Sequence, residues 1–426
     1  RSNPIVTKLE TPAFKSIFTK EINDLVDLFN KYGYEIRIAG GAVRDLLLDK
    51  IPKDIDFATT ATPIQMKEMF ANENIRIINM KGERHGTITP RINDKENFEI
   101  TTLRIDTATD GRHAEVKFTT DWLMDANRRD LTINSMFLGF DGSVYDYFFG
   151  YEDLQKRRVC FVGNADTRIK EDFLRILRYF RFYGRIALKP DGHEESTLKT
   201  IKNNATGLQR ISGERIWSEL KQIIDGNFSY DIVLTILDCD LGKYMGLPEI
   251  PNRDEFKFVY ENSKKFKDKL YAVSLLSALL YTPEDAVALH ERLKFSAYER
   301  DLCYFLTQYR KELLEIDDLL EYKKMCMKSY ARKEYVEEIL KYNGKVELYN
   351  ELKAWKAPRF EINGYIVKQH GCPKGKATGT VLGKLKDIWA ESNFKISSKE
   401  LLENHLPGIL SDLQDGGHKK KLKTEK

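Results

Sequence analysis

The chain has 426 residues, 42% of them hydrophobic, and its 69 basic and 65 acidic residues leave a formal net charge of +4. A chain of that length exceeds a single core and divides into two or more domains, and no apolar run approaches the ~20 residues of a membrane-spanning helix. Near-balanced charge excludes nucleic-acid binding through bulk basicity, so any such binding rests on local clusters.

Up to residue 150 short β-runs alternate with helices, and beyond it helical periodicity dominates. The expected fold is therefore α+β, a mixed-sheet head followed by an all-α remainder. A helix is expected over 13–31, then a strand at "EIRIAG", a helix over 42–49 and a strand at "DIDFAT". The helix 63–72 is announced by "TATP", with Thr62 as cap and Pro63 in the first turn. "GTITPRI" and "NFEITTLRI" read as further strands, and the polar segment 106–121, with both charge signs, as a mobile loop. Long amphipathic helices follow, broken near 188–195, 246–255 and 356–365, and "HKKKLKTEK" ends the chain as a basic, frayed tail. Cys160, Cys239, Cys303, Cys326 and Cys372 are odd in number and lack CxxC spacing, which points to a reducing intracellular compartment rather than to disulfides or zinc. The chain starts at Arg1, and that start carries no reading of a targeting segment.

The chemistry concentrates in "IAGGAVRDLLLDKIPKDIDFATT", residues 38–60. On a strand, Asp54 and Asp56 would point to one face and present two carboxylates side by side. Hard divalent ions such as Mg²⁺ take carboxylate oxygens together with substrate phosphates, so this pair suits metal-assisted phosphoryl chemistry. Gly40 and Gly41 let backbone amides approach a phosphate at a helix start, and Arg44 is placed to clamp a triphosphate oxygen. Two aspartates alone are as readily a solvated surface; the double glycine and the arginine at this spacing shift the reading toward a nucleotide site.

The same stretch, "GGAVRDLLL…DIDFATTATP", resembles the head motif of the nucleotidyltransferase superfamily that includes DNA polymerase β, in the version carried by CCA-adding enzymes and bacterial poly(A) polymerases. Further stretches resemble that family in the same order: "RRDLTINSM" (128–136) its ribose motif, "DYFFGYEDL" (146–154) its interdomain spring, "EDFLRILRYFRF" (171–182) its nucleotide-selecting helix, and "RISGERIWSEL" (210–220) the helical element that follows. The pattern is most like that of the animal mitochondrial and cytosolic members. The resemblance implies a polymerase β-like head over 1–150, a neck over 151–225, a body over 226–355 and a tRNA-holding tail over 356–426. It implies tRNA, CTP and ATP as substrates, a two-metal Mg²⁺ site on Asp54 and Asp56, no membrane partner, and residence in mitochondria, cytoplasm or nucleus. Monomer and homodimer both stay open. Family members that add only the two cytidines lack part of the loop at 106–121, and its full length here implies complete CCA addition.

Hydrogen-bond chemistry agrees with that implication. Cytosine and adenine both set an exocyclic amine beside an unprotonated ring nitrogen, and a carboxylate beside a guanidinium complements both. Asp172 and Arg175, three residues apart on the expected helix, supply that pair. Guanine and uracil invert the pattern, and each buried mismatch costs on the order of 1–3 kcal/mol. Glu171 and Arg178 complete the motif, with Arg178 expected to orient Asp172 or Arg175 or to contact phosphate. Asp130 is expected to accept from a ribose 2′-OH, with Arg128 and Arg129 facing triphosphate or holding the neck. Glu99 is a candidate third acidic residue near the metals, and Arg104 a candidate near the triphosphate or the loop. Lys374 and Lys376 in "GCPKGKATG", which misses P-loop spacing, are candidates for tRNA phosphate. His85 and His113 have no partner at metal spacing and read as structural or loop residues. The aromatic run "RYFRFYG" reads as core. Two other readings remain: a poly(A) polymerase, which shares the head motifs, and an RNA-binding module with an inactive head.

Overall fold

In the computed structural model, which describes residues 4–79, 82–109, 114–328 and 330–421, two threonines split the first helical segment. Thr11 accepts from the Phe14 N–H at 3.3 Å and Thr19 from the Ile22 N–H at 3.2 Å, so Pro12–Ser16 and Lys20–Lys31 start as separate helices. Thr62 behaves as expected: its hydroxyl accepts from Gln65 N–H at 3.3 Å while the Gln65 side chain accepts from Thr62 N–H at 2.9 Å, and the helix Pro63–Asn72 follows.

The chain divides into two compact units, 1–245 and 246–426. Among its described residues, unit 1–245 contains eleven strands: β1 (Ile5–Lys8), β2 (Ile36–Ala39), β3 (Phe57–Thr59), β4 (Arg76–Asn79), β5 (Thr87–Ile92), β6 (Glu96–Asn97), β7 (Ile100–Thr102), β8 (Arg104–Thr109), β9 (Ala114–Phe118), β10 (Phe137–Leu138) and β11 (Ser143–Asp146). Nine form one sheet in the order β1-β11-β10-β2-β3-β7-β5-β4, with β6 beside β5. β3 and β7 run parallel and the other pairs antiparallel, so the sheet is mixed, as expected. Ala39, Ala58, Leu103, Trp122, Ala126, Phe137 and Tyr147 form a buried cluster on it.

The segment 106–121 departs from expectation. β8 and β9 pair antiparallel as a separate ribbon, Arg104 opposite Phe118 and Ile105 opposite Lys117. A ribbon off the main sheet buries neither face fully, so its alternating residues lack the apolar signal of a core strand. Residues 110–113, with His113, lie outside the described residues.

Asp146, at the end of β11, accepts from the N–H groups of Phe148 (3.1 Å), Gly150 (3.0 Å) and Tyr151 (2.9 Å), and so caps the helix Gly150–Gln155. From there unit 1–245 is helical. Arg175–Ile186 packs on Gly213–Ile224 and buries Tyr179, Phe180, Phe182 and Tyr183, which confirms the aromatic run as core.

Unit 246–426 is helical throughout its described residues. Its largest fully buried side chain is Arg310, in the helix Ala297–Leu314. Its guanidinium donates to the Ser277 carbonyl at 3.0 Å, the Leu280 carbonyl and the Tyr342 hydroxyl at 2.7 Å, and Tyr342 in turn donates to Glu255 at 2.9 Å. A buried charge of this kind is held only by its partners, so Arg310→Ala is expected to destabilise the fold by about 3–5 kcal/mol. A lowered urea midpoint is the readout, and an unchanged midpoint would show that the network contributes nothing. Residues 362–409 gather a further core around Val381, Leu385 and Trp389.

All five cysteines are free thiols; four are buried and Cys160 is half-buried. Burial pushes the thiols of Cys160, Cys303 and Cys326 up to about 12 and that of Cys239 to about 11.

Candidate functional site

The site begins where β2 leaves the sheet. Gly40 has φ 64° and ψ −124°, a conformation that only glycine adopts readily, and a Cβ there would sit 3.1 Å from Arg129 Nη1. The ladder between β2 and β3 runs from Ile36–Thr59 to Ile38–Phe57, and one further bond joins Ala39 N–H to the Asp56 carbonyl at 2.9 Å. Beyond that bond the ladder between β2 and β3 stops among the described residues. Asp54 therefore lies in a bend and Asp56 in the irregular residues just ahead of β3, not on the strand as expected. Glu99 is nevertheless beside them as expected, because its carbonyl accepts from Phe57 N–H at 3.0 Å just ahead of the parallel strand β7.

A cleft of about 1050 Å³ opens over this bend. It is lined by Gly40, Gly41, Arg44, Asp56, Glu99, Arg128, Asp130, Asp172, Arg175 and Arg178, together with His85 and Arg104. Asp54 does not line it. Lys374 and Lys376 belong to the other unit, exposed where the helix Lys376–Glu391 starts. Among the described residues, eight arginines face six carboxylates in the cleft wall, a balance suited to a polyanion.

Asp125 anchors the basic wall. It accepts from Arg128 Nε at 2.9 Å, from Arg129 Nη2 at 3.0 Å and from the Arg104 N–H at 3.1 Å. Burial alone would raise its carboxyl; Arg129 and Arg128 overcome that and hold it below the ordinary value. Arg44 is buried, with Nε and Nη2 on Asp45 and Nη1 on Asn134 at 2.8 Å, so three of its five N–H groups are engaged.

Asp130 is likewise buried and held below the ordinary value, here by Arg178, whose Nε donates to it at 2.6 Å. Arg178 was expected to orient Asp172 or Arg175 or to contact phosphate; its ion-pair partner is Asp130, with Glu219 3.9 Å away. The Asp130 carboxylate also accepts from Leu131 N–H at 2.8 Å and Asn134 Nδ2 at 3.4 Å, leaving about one of its four lone-pair sites open.

Asp172 and Arg175 do not share a continuous helix. Ala165–Glu171 ends at Asp172, whose φ of −152° and ψ of 106° are extended, and a new helix starts at Arg175. The break is stabilised locally, because the Asp172 side chain accepts from Leu174 N–H at 3.1 Å and its carbonyl from Arg175 N–H at 3.0 Å. Phe173 fills the space over Gly207, where a Cβ would come within 1.9 Å of the ring. Arg175 donates to Glu171 Oε2 at 2.6 Å, to the Arg168 carbonyl at 3.1 Å and to the Arg128 carbonyl at 2.7 Å. Asp172 Oδ2 accepts from Arg215 Nη2 at 2.7 Å. Sequence reasoning passed over Arg215, which sits in the quoted "RISGERIW" but 43 residues from its partner.

Asp56 is crowded by its cleft walls although its surface reaches solvent. That loss of solvation first, then the charges of Glu99 and Asp54, raises its carboxyl above the ordinary value. Repulsion that Arg129 only partly offsets fits a divalent cation. Among the described residues no three His, Cys, Asp or Glu side chains converge to hold an ion unaided, so Mg²⁺ here would need phosphate oxygens and water to complete its octahedron, as it commonly does.

Comparison with known proteins follows this geometry. Residues 36–160 match the family profile described as the poly A polymerase head domain, and residues 194–252 the one described as the probable RNA and SrmB-binding site of polymerase A. In fold, the chain is similar to the Bacillus stearothermophilus CCA-adding enzyme solved in complex with CTP, with a TM-score of 0.67 over 96% of this chain and 100% of that one, at 22% identity. The curated CCA tRNA nucleotidyltransferase 1, mitochondrial, of Danio rerio is 49% identical over 93% of each chain. The Homo sapiens protein of the same name is 50% identical over 93% of this chain and 92% of its own. Identity at that level, carried from the head through to the helical remainder, reflects common descent as well as a common fold: the chain belongs to the family of CCA tRNA nucleotidyltransferases.

Proposed function

We propose that the chain adds C, C and A in turn to the 3′ end of tRNA, taking CTP and ATP as substrates and choosing between bases without a nucleic-acid template. The single observation that carries this reading is the donor and acceptor set left open at Asp172 and Arg175. Arg175 uses three of its five N–H groups on Glu171, Arg168 and Arg128, which leaves about two. Cytosine needs two, for its ring nitrogen and carbonyl, and adenine one. Asp172 accepts from Leu174 and Arg215 and retains lone pairs for the exocyclic amine that both bases carry.

The tRNA 3′-OH attacks the α-phosphorus and pyrophosphate leaves. Asp130 accepts from the ribose 2′-OH through its remaining lone pair, and the arginine wall receives the triphosphate. Asp54 and Asp56 would hold Mg²⁺, with Glu99 beside them, and the ion when bound supplies a lowered hydroxyl pKa and neutralisation of the charge that develops on the phosphate. We assign the head to 1–150, the neck to 151–225, the body to 226–355 and the tRNA-holding tail, with Lys374 and Lys376, to 356–426. Mitochondria are the compartment, by likeness to the curated relatives.

The test is extension of a labelled tRNA lacking its CCA end, resolved to single nucleotides. Two additions with CTP alone and a third only once ATP joins are expected. A long ladder with ATP alone would make the chain a poly(A) polymerase, and no extension in any lane would make it an RNA-binding module.

A further inference from the structure

Unit 246–426 holds a second cavity, of about 510 Å³, lined by none of the cleft residues. It lies among the helices Pro283–Leu293 and Ala297–Leu314 and the start of Lys333–Tyr342. Its volume falls within the range of small-molecule sites, and its wall is aromatic. Phe305 and Tyr335 are buried in it, whereas Tyr304 and Tyr330 are 47% and 50% exposed. Tyr330 stacks on Tyr309, with centroids 5.4 Å apart and planes 18° from parallel.

Two buried polar atoms of this wall have no hydrogen-bond partner among the described residues: the hydroxyl of Tyr335, itself only 3% exposed, and Nδ1 of His290. Buried polar atoms are otherwise nearly always paired, so two in one cavity point to a missing partner. Burial, with Arg300 and Lys294 nearby, keeps His290 below its ordinary pKa and so neutral, able to donate or to accept. Arg300 is tied to Asp301 at 2.8 Å. Arg332 pairs with no carboxylate among the described residues, and its guanidinium stands 5.6 Å from the Tyr335 ring centroid.

These features select the ligand by elimination. Arg332 calls for an anion, a bare phosphate would leave the stacked tyrosines uncovered, and an aliphatic chain would leave Tyr335 and His290 unpaired. A flat ring with donor and acceptor edges and an attached anion meets every requirement. We propose that this cavity binds one nucleotide, its base among the tyrosines with Tyr335 and His290 on its edge, and its phosphate on Arg332. The nucleotide is either a free nucleoside monophosphate or an unpaired nucleotide of an RNA strand.

The experiment is photolabelling of the full chain with an azido analogue of adenosine monophosphate, followed by peptide mapping. Label on peptides spanning 283–335, chased by excess adenosine monophosphate, is expected. Arg332 is exposed, so Arg332→Glu leaves folding intact and is expected to cut that label by about tenfold, the loss of one charge-assisted contact. Tyr335→Phe, which keeps the ring, is expected to weaken it as well. Label confined to cleft peptides, or undiminished in Arg332→Glu, overturns the proposal. Stronger competition from a short oligoadenylate assigns the site to an RNA strand, and stronger competition from the mononucleotide assigns it to the free nucleotide.

Discussion

Asp56→Ala is expected to cut nucleotide addition by about a thousandfold or more, the scale of losing several kcal/mol of charge stabilisation in the transition state. The same substitution is expected to leave stability unchanged or slightly raised. The reason lies in the sign of the pKa shift. Crowding, Glu99 and Asp54 raise the Asp56 carboxyl in the folded chain, so the fold disfavours the ionised form. Stability is therefore given up as pH rises from the unfolded value through the raised folded one, and removing the carboxylate restores it. A group that weakens the fold and is retained is one that function requires. Single-turnover extension of a tRNA lacking CCA, beside a thermal melt at neutral pH and filter binding of tRNA, separates the terms. Retained turnover would remove Asp56 from the chemistry, and a fall in melting temperature would mean that its role is structural.

The second large effect belongs to Asp172. Asp172→Ala removes the acceptor for the exocyclic amine and the partner of Arg215 together. Addition from CTP and ATP is expected to fall, and discrimination against UTP and GTP to collapse by about ten- to a hundredfold, the scale of one buried mismatch. Arg215→Ala keeps the carboxylate but frees it, and is expected to blur selection less. Misincorporation with each triphosphate offered alone, resolved by length, reads both. Equal loss for all four triphosphates would show that Asp172 only shapes the bend.

How much of this was legible beforehand follows from the range of each interaction. The helix after Thr62 was legible because cap, proline and glutamine lie within four residues. Gly40, Gly41, Arg44, Asp56, Glu99, Arg128, Asp130, Asp172, Arg175 and Arg178, each named from a short stretch with its own chemical logic, line one cleft, whereas Asp54 does not line it and His85, read as structural, does. The bend at Asp54 and the irregular backbone at Asp56 were not legible: a DxD reads as strand until the length of its neighbour is known, and β2 ends at Ala39. The break at Asp172 was hidden for a related reason, since apolar periodicity runs through it while the side chain caps its own turn. The Arg178–Asp130 pair and Arg215 were not read from the sequence, because their partners lie 48 and 43 residues away. The strands β1, β4, β10 and β11, each of four residues or fewer, were not read from the sequence.

The buried thiols give each unit its own clock. Cys160 and Cys239 lie in unit 1–245, and Cys303, Cys326 and Cys372 in unit 246–426. A thiol shielded by the fold reacts with an alkylating reagent only while its surroundings are open. The order in which the five cysteines are alkylated therefore ranks local opening along the chain. A substrate that tightens the cleft would slow the first pair, and a ligand in the tyrosine-lined cavity would slow Cys303, which shares a helix with Tyr304 and Phe305. One native-state labelling series can thus report which half of the chain a given ligand holds closed.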